Sequence, residues 1–304
     1  MALTYSNIIK WAKMILGKSP LHVNQDMGLC FSPNKIKGYY NNLTDKVKMQ
    51  PEFLDNEEYS KTRVGSVKME NFPTIILQYS LGCYDLYLLT HEKKYLDKFL
   101  QGANKIYEML GQDGSVPVPT GEKGIRTTVS AMSQGESASV FCRAFVETNE
   151  KRFLFAAERA VDYMLLPLEV GGTSDYSNGL ELYEFIDCPL ILNGWIFALF
   201  GLYDVSLLSV NPKYQVNYKK TVGTLSKELK KFDNGYWTKY DIDSMIASLF
   251  YHNLHIAQME ALFITTGDSV FDEYKRKWEK YRGSFFKRNK AFFVKALQKL
   301  REKE

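Results

Sequence analysis

One ten-residue unit recurs four times along this chain at nearly constant spacing. Each copy has an apolar run, a short polar turn and an aromatic residue that opens a second run. The aromatic residues are Tyr95, Phe153, Tyr214 and Phe271, so the copies are 58, 61 and 57 residues apart. A repeat of this length with two apolar runs is typical of helical hairpins that share one core. The sequence therefore predicts an all-α fold of about four hairpins.

Loops that contain glycine recur after the second run of each hairpin, at Gly114, Gly172 and Gly235. Glycine allows the positive φ that tight turns require. If the hairpins surround an axis, these loops meet at one mouth, and a binding site is expected there. The predicted architecture is an α/α barrel over residues 71–304. Residues 1–70 are predicted to be an accessory segment with a helix and short β or turn elements. The predicted barrel helices cover 73–89, 95–110, 130–147, 151–166, 189–208, 213–231, 246–265 and 269–282.

Composition excludes several classes of protein. Hydrophobic residues make up 45% of the 304 residues, but no apolar run approaches the roughly 20 residues of a membrane-spanning helix. Lysines interrupt residues 1–17, which favours an amphipathic helix over a signal peptide. We therefore expect a cytoplasmic protein, with peripheral contact at the inner membrane face left open. The four cysteines are scattered and do not combine with histidines at zinc spacing, so neither a metal nor a cofactor is predicted.

Positive charge is concentrated near the C-terminus. Residues 272–304 carry 12 Lys and Arg against 5 Asp and Glu, whereas the other 271 residues carry 27 against 30. The simpler interpretation is a terminal helix packed through Phe293, Ala296, Leu297 and Leu300, with a solvated basic face. The more specific interpretation is that this basic helix binds an anionic membrane or an acidic glycan. Nucleic acid is not expected, because no binding motif accompanies the charge. The sequence also leaves open a homodimer formed through this aromatic-rich helix.

Three segments combine tyrosine with acids and amides: residues 179–194, 234–243 and 251–258. His252 and His255 are three apart on a predicted helix, so they share a face. Gln258 would be a poor third metal ligand, and we interpret both histidines as hydrogen-bonding groups. The chain has 20 tyrosines, so a purely structural role for the loop tyrosines stays open.

Four motifs carry a resemblance to the C-terminal catalytic domain of D-glucuronyl C5-epimerases. They lie at residues 130–136, 192–204, 240–243 and 251–258. The resemblance runs from about Gly38 to Trp278, with the motifs in order and at compatible spacing. It implies an α/α barrel, in agreement with the repeat. It also implies an isomerase that inverts C5 of glucuronate within a polysaccharide to give iduronate.

The resemblance further implies a set of site residues. Tyr183, Tyr240 and Tyr251 fall on the catalytic tyrosines of the family. The reaction removes a weakly acidic C5 hydrogen beside a carboxylate, so it needs a base on one face, a proton donor on the other and a neutralised carboxylate. The predicted partner is an acidic polysaccharide or a lipid-linked oligosaccharide. The predicted substrate-binding residues are Arg126, Gln134, Glu181, Asn193, Lys239, His252 and His255.

The chain departs from the family at the position of a substrate-gripping arginine. The arginine and histidine of the family's YDLRH motif are Asp243 and Ser244 here. A uronate needs a cation, so Arg126 and Lys239 are predicted to replace the arginine. Phe250 also stands where the family has an aspartate.

Three other functions stay open from the sequence. A uronate lyase would begin with the same proton abstraction and then expel the C4 substituent. A non-catalytic glycan-binding protein would keep only the cleft. A glycoside hydrolase would need two carboxylates, for which the candidates are Asp113, Asp175, Glu181, Asp187 and Asp241.

Overall fold

A computed structural model of the chain describes residues 23, 25–55, 59, 61–64, 67–70, 72–118 and 129–301. In this part of the chain, α2 to α9 form four successive hairpins of an α/α barrel. The prediction of an all-α barrel of four hairpins is therefore confirmed. The helices are α1 (Thr44–Lys48), α2 (Pro73–Thr90), α3 (Lys93–Met109), α4 (Ala131–Thr148), α5 (Lys151–Met164), α6 (Leu192–Leu208), α7 (Pro212–Glu228), α8 (Leu249–Thr266), α9 (Ser269–Gly283) and α10 (Phe285–Arg301).

Short strands complete the described structure. Strands β1 (Lys61–Val64) and β2 (Val67–Glu70) pair antiparallel, with Lys61 opposite Glu70. Strands β3 (Ser174–Asp175) and β4 (Glu181–Leu182) pair antiparallel in the loop before α6. None of the described helices is long and apolar enough to cross a membrane.

The repeated sequence unit is a helix–helix corner with one recurring hydrogen bond. Its aromatic residue is the third residue of the second helix in every hairpin. Five residues earlier stands a Thr or Ser whose hydroxyl accepts the backbone N–H of the residue just before that helix. The four N···O distances are 3.1–3.2 Å. The hydroxyl residue and the aromatic residue are five positions apart in every copy, because the hydrogen bond fixes the length of the turn. The four hydroxyls belong to Thr90, Thr148, Ser209 and Thr266.

Inner and outer helices differ in which faces they bury. The inner helix α6 is buried without a break from Leu192 to Val205. The outer helix α5 buries only one stripe, which includes Phe153, Ala157 and Val161, as expected for an amphipathic helix on a core. Helices α2, α4, α6 and α8 therefore form the inner wall of the barrel. Helices α3, α5, α7 and α9 cover that wall from outside.

Helices α4 and α6 approach each other closely because glycine faces glycine. A Cβ atom on Gly135 would lie 2.5 Å from Cα of Ala198, and one on Gly201 would overlap the carbonyl oxygen of Gly135. Any side chain at these positions would push the two inner helices apart. The predicted loop glycines behave differently. Positive φ occurs at Gly114 and Gly235, but Gly171 takes it in place of Gly172.

The segment predicted to be accessory enters the barrel. Residues 38–42, which we call the plug, place Tyr39 and Tyr40 in the same core as the inner helices. The ring of Tyr40 stacks on Phe200 at 4.1 Å, and its hydroxyl donates to Asp204 at 2.6 Å. Arg143 pairs with the same aspartate at 2.6 Å. The predicted helix at residues 1–17 lies outside the described residues.

The C-terminal helix is packed differently from the simpler interpretation of its sequence. Ala291 is buried against the body. Phe293 and Leu297, which were predicted to pack, are 65% and 55% exposed. The buried side of α10 is thus a narrow stripe, and most of its aromatic residues face solvent.

Candidate active site

A cavity of about 210 Å³ lies where the first turns of the four inner helices meet. Thr74 of α2, Ser133 of α4, Asn193 of α6 and Tyr251 of α8 all line it. The remaining lining residues are Gln25, Lys46, Phe72, Ile75, Gln78, Val118, Ser130, Met132, Glu184, Phe185, Phe197, Phe250 and Leu254.

The direction of the inner helices gives the cavity a positive electrostatic character. The first backbone N–H groups of a helix have no partner within it, and the helix dipole places partial positive charge at the same end. All four inner helices begin at the cavity. Anionic groups such as carboxylates are therefore favoured there.

Two of the three predicted tyrosines contact each other, and one of them, Tyr251, lines the cavity. Tyr251 lies in the first turn of α8, where its N–H donates to the capping Ser248 at 3.4 Å. Tyr240 contacts it edge-on with ring centroids 4.7 Å apart, and the two hydroxyls are hydrogen-bonded. Burial raises the pKa of Tyr251 to about 12 and the pKa of Tyr240 well above its usual value. Both hydroxyls are therefore protonated at neutral pH.

The third tyrosine stands beside acids. The hydroxyl of Tyr183 donates to Oε2 of Glu181 at 3.3 Å. Burial, followed by the charges of Glu181 and Asp175, raises the pKa of Tyr183 to about 12. Tyr183 does not line the cavity, whereas the next residue, Glu184, does. The backbone carbonyl oxygen of Tyr183 accepts the N–H of Ala131 at 3.0 Å and so joins this loop to the start of α4.

Two carboxyl groups, one at the cavity and one beneath it, have raised pKa values. Burial raises the pKa of Glu184 to about 7. Its Oε2 atom is buried and has no hydrogen-bond partner in the described part of the chain. Glu136 lies one layer deeper, where its Oε1 accepts Nε2 of Gln78 at 2.8 Å. Burial raises the pKa of Glu136 to about 8. Glu184 thus titrates near neutral pH at the cavity wall.

Among the described residues, the cation that lines the cavity is Lys46, which sequence reasoning missed. It lies on α1 and lines the cavity. Burial lowers its pKa to about 8, and the charge of Glu136 opposes that shift. Lys46 is therefore mostly protonated at neutral pH. No sequence signal marked it, because α1 lies outside both the repeat and the four motifs of the barrel.

The two predicted cations are placed elsewhere or not described. Nζ of Lys239 donates to the carbonyl oxygens of Ile242 at 3.4 Å and Asp243 at 3.1 Å. Lys239 therefore closes its own loop instead of lining the cavity. Arg126 lies outside the described residues.

The predicted amides have different environments. Asn193 lines the cavity, and its Oδ1 atom is buried without a hydrogen-bond partner among the described residues. Gln134 accepts the N–H of Val116 at 2.7 Å and donates to Gly114 at 2.8 Å and Ala160 at 3.1 Å. Gln134 thus holds the loop after α3 and does not line the cavity.

The two histidines lie inside the core beside the Tyr240 loop. Both place Nδ1 near Oγ1 of Thr238, at 3.0 Å for His252 and 3.2 Å for His255. Burial lowers the pKa of His252 to about 3 and that of His255 well below its usual value. Both rings are therefore neutral, and neither lines the cavity. No cluster of metal-ligating side chains occurs in the described part of the chain.

The carboxylates considered for hydrolysis also stand away from the cavity. None of the five is among its lining residues. Asp113 accepts the N–H and hydroxyl of Ser115 within its own turn. Oδ1 of Asp241 accepts the N–H groups of Ser244 and Met245, both at 3.0 Å. These two side chains thus organise loops.

The family described as D-glucuronyl C5-epimerase C-terminus matches residues 123–280, just over half of the chain. The chain belongs to this family. The matched range contains Tyr183, Glu184, Tyr240 and Tyr251, whereas Lys46 precedes it.

Two curated relatives match in sequence. The D-glucuronyl C5-epimerase of Caenorhabditis elegans is 27% identical over 174 residues, which are 50% of this chain and 28% of that protein. An uncharacterized protein of Methanocaldococcus jannaschii is 28% identical over 155 residues, which are 49% of this chain and 50% of that protein. The matches thus span half or less of each relative.

Two solved structures resemble the fold. One is a cellobiose 2-epimerase from Spirochaeta thermophila, with a TM-score of 0.52 and 11% identity over 78% of this chain and 67% of that one. The other is a family 76 glycoside hydrolase from a bovine Bacteroides thetaiotaomicron strain, with a TM-score of 0.50 and 14% identity over 74% of this chain and 51% of that one. At such identities the likeness shows the fold alone.

Proposed function

We propose that this protein is a polysaccharide uronate C5-epimerase that converts D-glucuronate to L-iduronate residues. The observation that carries the proposal is a cavity that combines Tyr251, Glu184 and Lys46 at the starts of four helices. Membership of the D-glucuronyl C5-epimerase family supports it. The Caenorhabditis elegans relative, a D-glucuronyl C5-epimerase, also supports it.

Removal of the C5 hydrogen places negative charge on the adjoining carboxylate. The transition state is stabilised by positive groups that are already in place where that charge develops. Lys46 and the four helix starts supply such groups at this cavity. Lys46 thereby takes the role that the sequence assigned to Arg126 or Lys239.

The pKa values divide the acid and base roles between two side chains. An efficient general base has a pKa near the operating pH. Glu184, with a pKa of about 7, meets that condition. Tyr251, with a pKa of about 12, keeps its proton and serves as the donor. The C5 proton passes to the Glu184 carboxylate, and the Tyr251 hydroxyl gives its proton to the opposite face of C5.

Tyr240 supports the donor after it has lost its proton. Its hydrogen bond to Tyr251 opposes the rise of the Tyr251 pKa, so it stabilises the phenolate that forms. Proton exchange with solvent then returns a proton to Tyr251 and removes one from Glu184. In this scheme the tyrosine pair donates the proton to C5, and Glu184 removes the original one.

The deciding experiment is incubation with a glucuronate-containing polysaccharide in deuterated water. We expect deuterium at C5 and the appearance of iduronate without shortening of the polymer. A product with an unsaturated end that absorbs in the ultraviolet would identify a lyase instead. New reducing ends without deuterium would identify a hydrolase. No change with any glucuronate polymer tested would contradict the proposal.

The assignment of the base is tested by the pH dependence of kcat/KM. In the wild type, kcat/KM should fall tenfold per pH unit below about pH 7, as Glu184 becomes protonated. Glu184→Gln should lose activity by about a hundredfold or more, and its kcat/KM should no longer show this acidic limb of the pH profile. The matched control is Glu260→Gln, because Glu260 lies on α8 but pairs with Lys275 outside the cavity. An unchanged limb in Glu184→Gln would assign the base to another residue.

A further inference from the structure

Helix α10 exposes the most extensive aromatic face of the described chain. Its five exposed large apolar side chains occupy one arc of about 140° when drawn at 100° per residue. Their exposed fractions are 53–84%. Contiguous apolar surface of this kind marks an interaction site on a soluble domain. The five residues, which we call the aromatic face, are Phe285, Phe286, Phe292, Phe293 and Leu297.

The opposite side of α10 is fixed to the protein. Ala291 is 3% exposed. Oε1 of Gln298 accepts the N–H of Ile246 at 3.0 Å, and its Nε2 donates to the carbonyl oxygen of Ser244 at 2.7 Å. The helix is thus docked by a narrow stripe, and that docking directs the aromatic face outward.

The charge of α10 is entirely positive. The helix contains six Lys and Arg residues and no Asp or Glu. Arg288 and Lys290 are exposed and lie on either side of the aromatic face by helical position. Lys287 and Lys290 lie over the rings of Tyr281 and Tyr236, at 4.1 Å and 4.0 Å. A helix with an apolar centre and basic edges has the chemistry of an interfacial membrane helix.

We propose that α10 docks this protein on an anionic phospholipid surface. The aromatic face enters the boundary between headgroups and acyl chains, and the flanking cations contact the lipid phosphates. Two other candidates to cover the aromatic face, the N-terminal residues and a second copy of the protein, lack complementary charge. Residues 1–22 carry Lys10, Lys13 and Lys18 and no acid. A second copy of α10 would bring two sets of like charges together.

The docked helix would lie directly beside the candidate active site. Gln298 holds residues 244–246 of the loop that carries Tyr240. Nζ of Lys295 lies 5.9 Å from the centre of the Tyr240 ring. Docking through α10 would therefore hold this loop about one helix diameter, roughly 10 Å, from the lipid surface, within reach of a membrane-bound glycan.

The test is co-sedimentation of the full chain with vesicles. One set contains equal parts of phosphatidylcholine and phosphatidylglycerol, and the other contains phosphatidylcholine alone. We expect binding to the anionic set, weak binding to the neutral set and release by salt, because salt screens exposed charges. Equal binding to both sets, or binding to neither, would overturn the proposal.

Matched pairs of substitutions separate the aromatic face from general surface effects. Phe286→Ser with Phe293→Ser should weaken vesicle binding by about tenfold or more. The control is Val210→Ser with Val216→Ser, since these side chains are 101% and 62% exposed on another surface. Circular dichroism and the unfolding midpoint show whether each variant is folded. Equal loss in both pairs would contradict a specific docking face.

A second matched pair tests the charge. Arg288→Glu with Lys290→Glu should weaken binding by about fivefold or more for each cation removed. Lys219→Glu with Lys230→Glu makes the same change in net charge elsewhere and should retain binding. If both pairs lose binding equally, net charge alone explains the attraction and the proposed face is wrong.

Two further outcomes identify a different occupant. Light scattering after gel filtration would show a dimer that Phe286→Ser with Phe293→Ser dissociates, if a second copy covers the face. A second result would assign the cations to a glycan. The protein would then bind a sulfated polysaccharide but no vesicles, and this binding would be kept in the double serine variant and lost in the Arg288→Glu, Lys290→Glu variant. Either result overturns membrane docking, and neither bears on the proposed epimerase activity.

Discussion

The two ends of the barrel interior are built from the same inner helices but are filled differently. At one end the first turns of α2, α4, α6 and α8 surround the cavity. Ten or eleven residues further along, roughly 16 Å at helical rise, the interior holds the plug and the Arg143–Asp204 pair. Phe197 lies between the two ends, since it lines the cavity and stacks on Tyr39 with ring centroids 6.3 Å apart.

The comparison shows that charged residues inside a barrel are structural or available according to their neighbours. Asp204 accepts hydrogen bonds from Arg143 and Tyr40, both at 2.6 Å. At the cavity end, Oε2 of Glu184 and Oδ1 of Asn193 are buried with no partner in the described chain. Most buried polar groups are hydrogen-bonded in folded proteins. Among the described residues, Oδ2 of Asp85 and Nε of Arg143 at the plug also lack a partner, so the two atoms at the cavity end are available to a ligand because their residues line the cavity.

The largest expected effect is at the plug. Arg143→Met leaves Asp204 as a buried charge without its cation, which should reduce the free energy of unfolding by about 3–5 kcal/mol. Urea denaturation measures the loss. The control is Lys213→Met, which breaks an exposed pair with Asp162 and should reduce it by less than about 1 kcal/mol. Similar losses in the two variants would mean that the plug does not stabilise the barrel.

The next prediction removes one tyrosine hydroxyl at each end. Tyr251→Phe at the cavity should lower kcat by about a hundredfold or more, with little change in stability. Tyr40→Phe at the plug removes a hydrogen bond to a carboxylate and should reduce the free energy of unfolding by about 1.5–3 kcal/mol, with kcat unchanged. Rate assays and urea denaturation on both variants check this contrast. If Tyr40→Phe lowered kcat as much as Tyr251→Phe, the two ends would not be functionally distinct.

A smaller effect is expected from the cation. Lys46→Met keeps the length and apolar stem of the side chain but removes its charge. A charge-assisted contact contributes roughly 1.5–3 kcal/mol, so kcat/KM on a uronate polymer should fall about ten- to a hundredfold. Lys48→Met changes an exposed lysine on the same helix and should leave kcat/KM unchanged. Equal values for the two variants would show that Lys46 does not contact the substrate.

The last prediction concerns pH and the layer beneath the cavity. Glu136 has a pKa of about 8 in the folded protein and near 4 when unfolded. Between these values the folded state binds the extra proton, so this residue lowers stability as pH rises. Glu136→Gln should therefore gain thermal stability relative to wild type between pH 5 and pH 8, by a few degrees. The buried histidines are present in both proteins, so their contribution cancels. A constant difference in melting temperature across this range would contradict the assignment.

Local patterns in the sequence predicted the fold well. The four corners depend on a hydroxyl and an aromatic residue five positions apart, so their spacing is visible in the chain. Loops that follow the repeat also carry Tyr240, and Tyr251 opens the next inner helix. The meeting of these two tyrosines follows from the order of elements around the barrel.

The parts of the site that the sequence did not predict depend on tertiary contacts. Lys46 reaches the cavity only because residues outside the repeat enter the barrel. Lys239 has the right charge and a motif position, but backbone carbonyls four residues away or nearer hold its amine. The motif at residues 251–258 places Tyr251 at the cavity but His252 in the core, where Trp237 stacks on its ring at 3.6 Å. Sequence position alone does not distinguish a side chain that faces the cavity from one that faces the core.

The plug also determines how a polymer can use the cavity. With Tyr39 and Tyr40 packed across the interior, a sugar chain has no passage through the barrel and cannot thread along its axis. The proposed substrate must lie across the mouth or enter by one end, and it must leave on the side from which it came. Each sugar residue must then leave the cavity by the mouth before the next residue of the chain can enter it. The spacing of iduronate along the product should therefore be irregular at short reaction times.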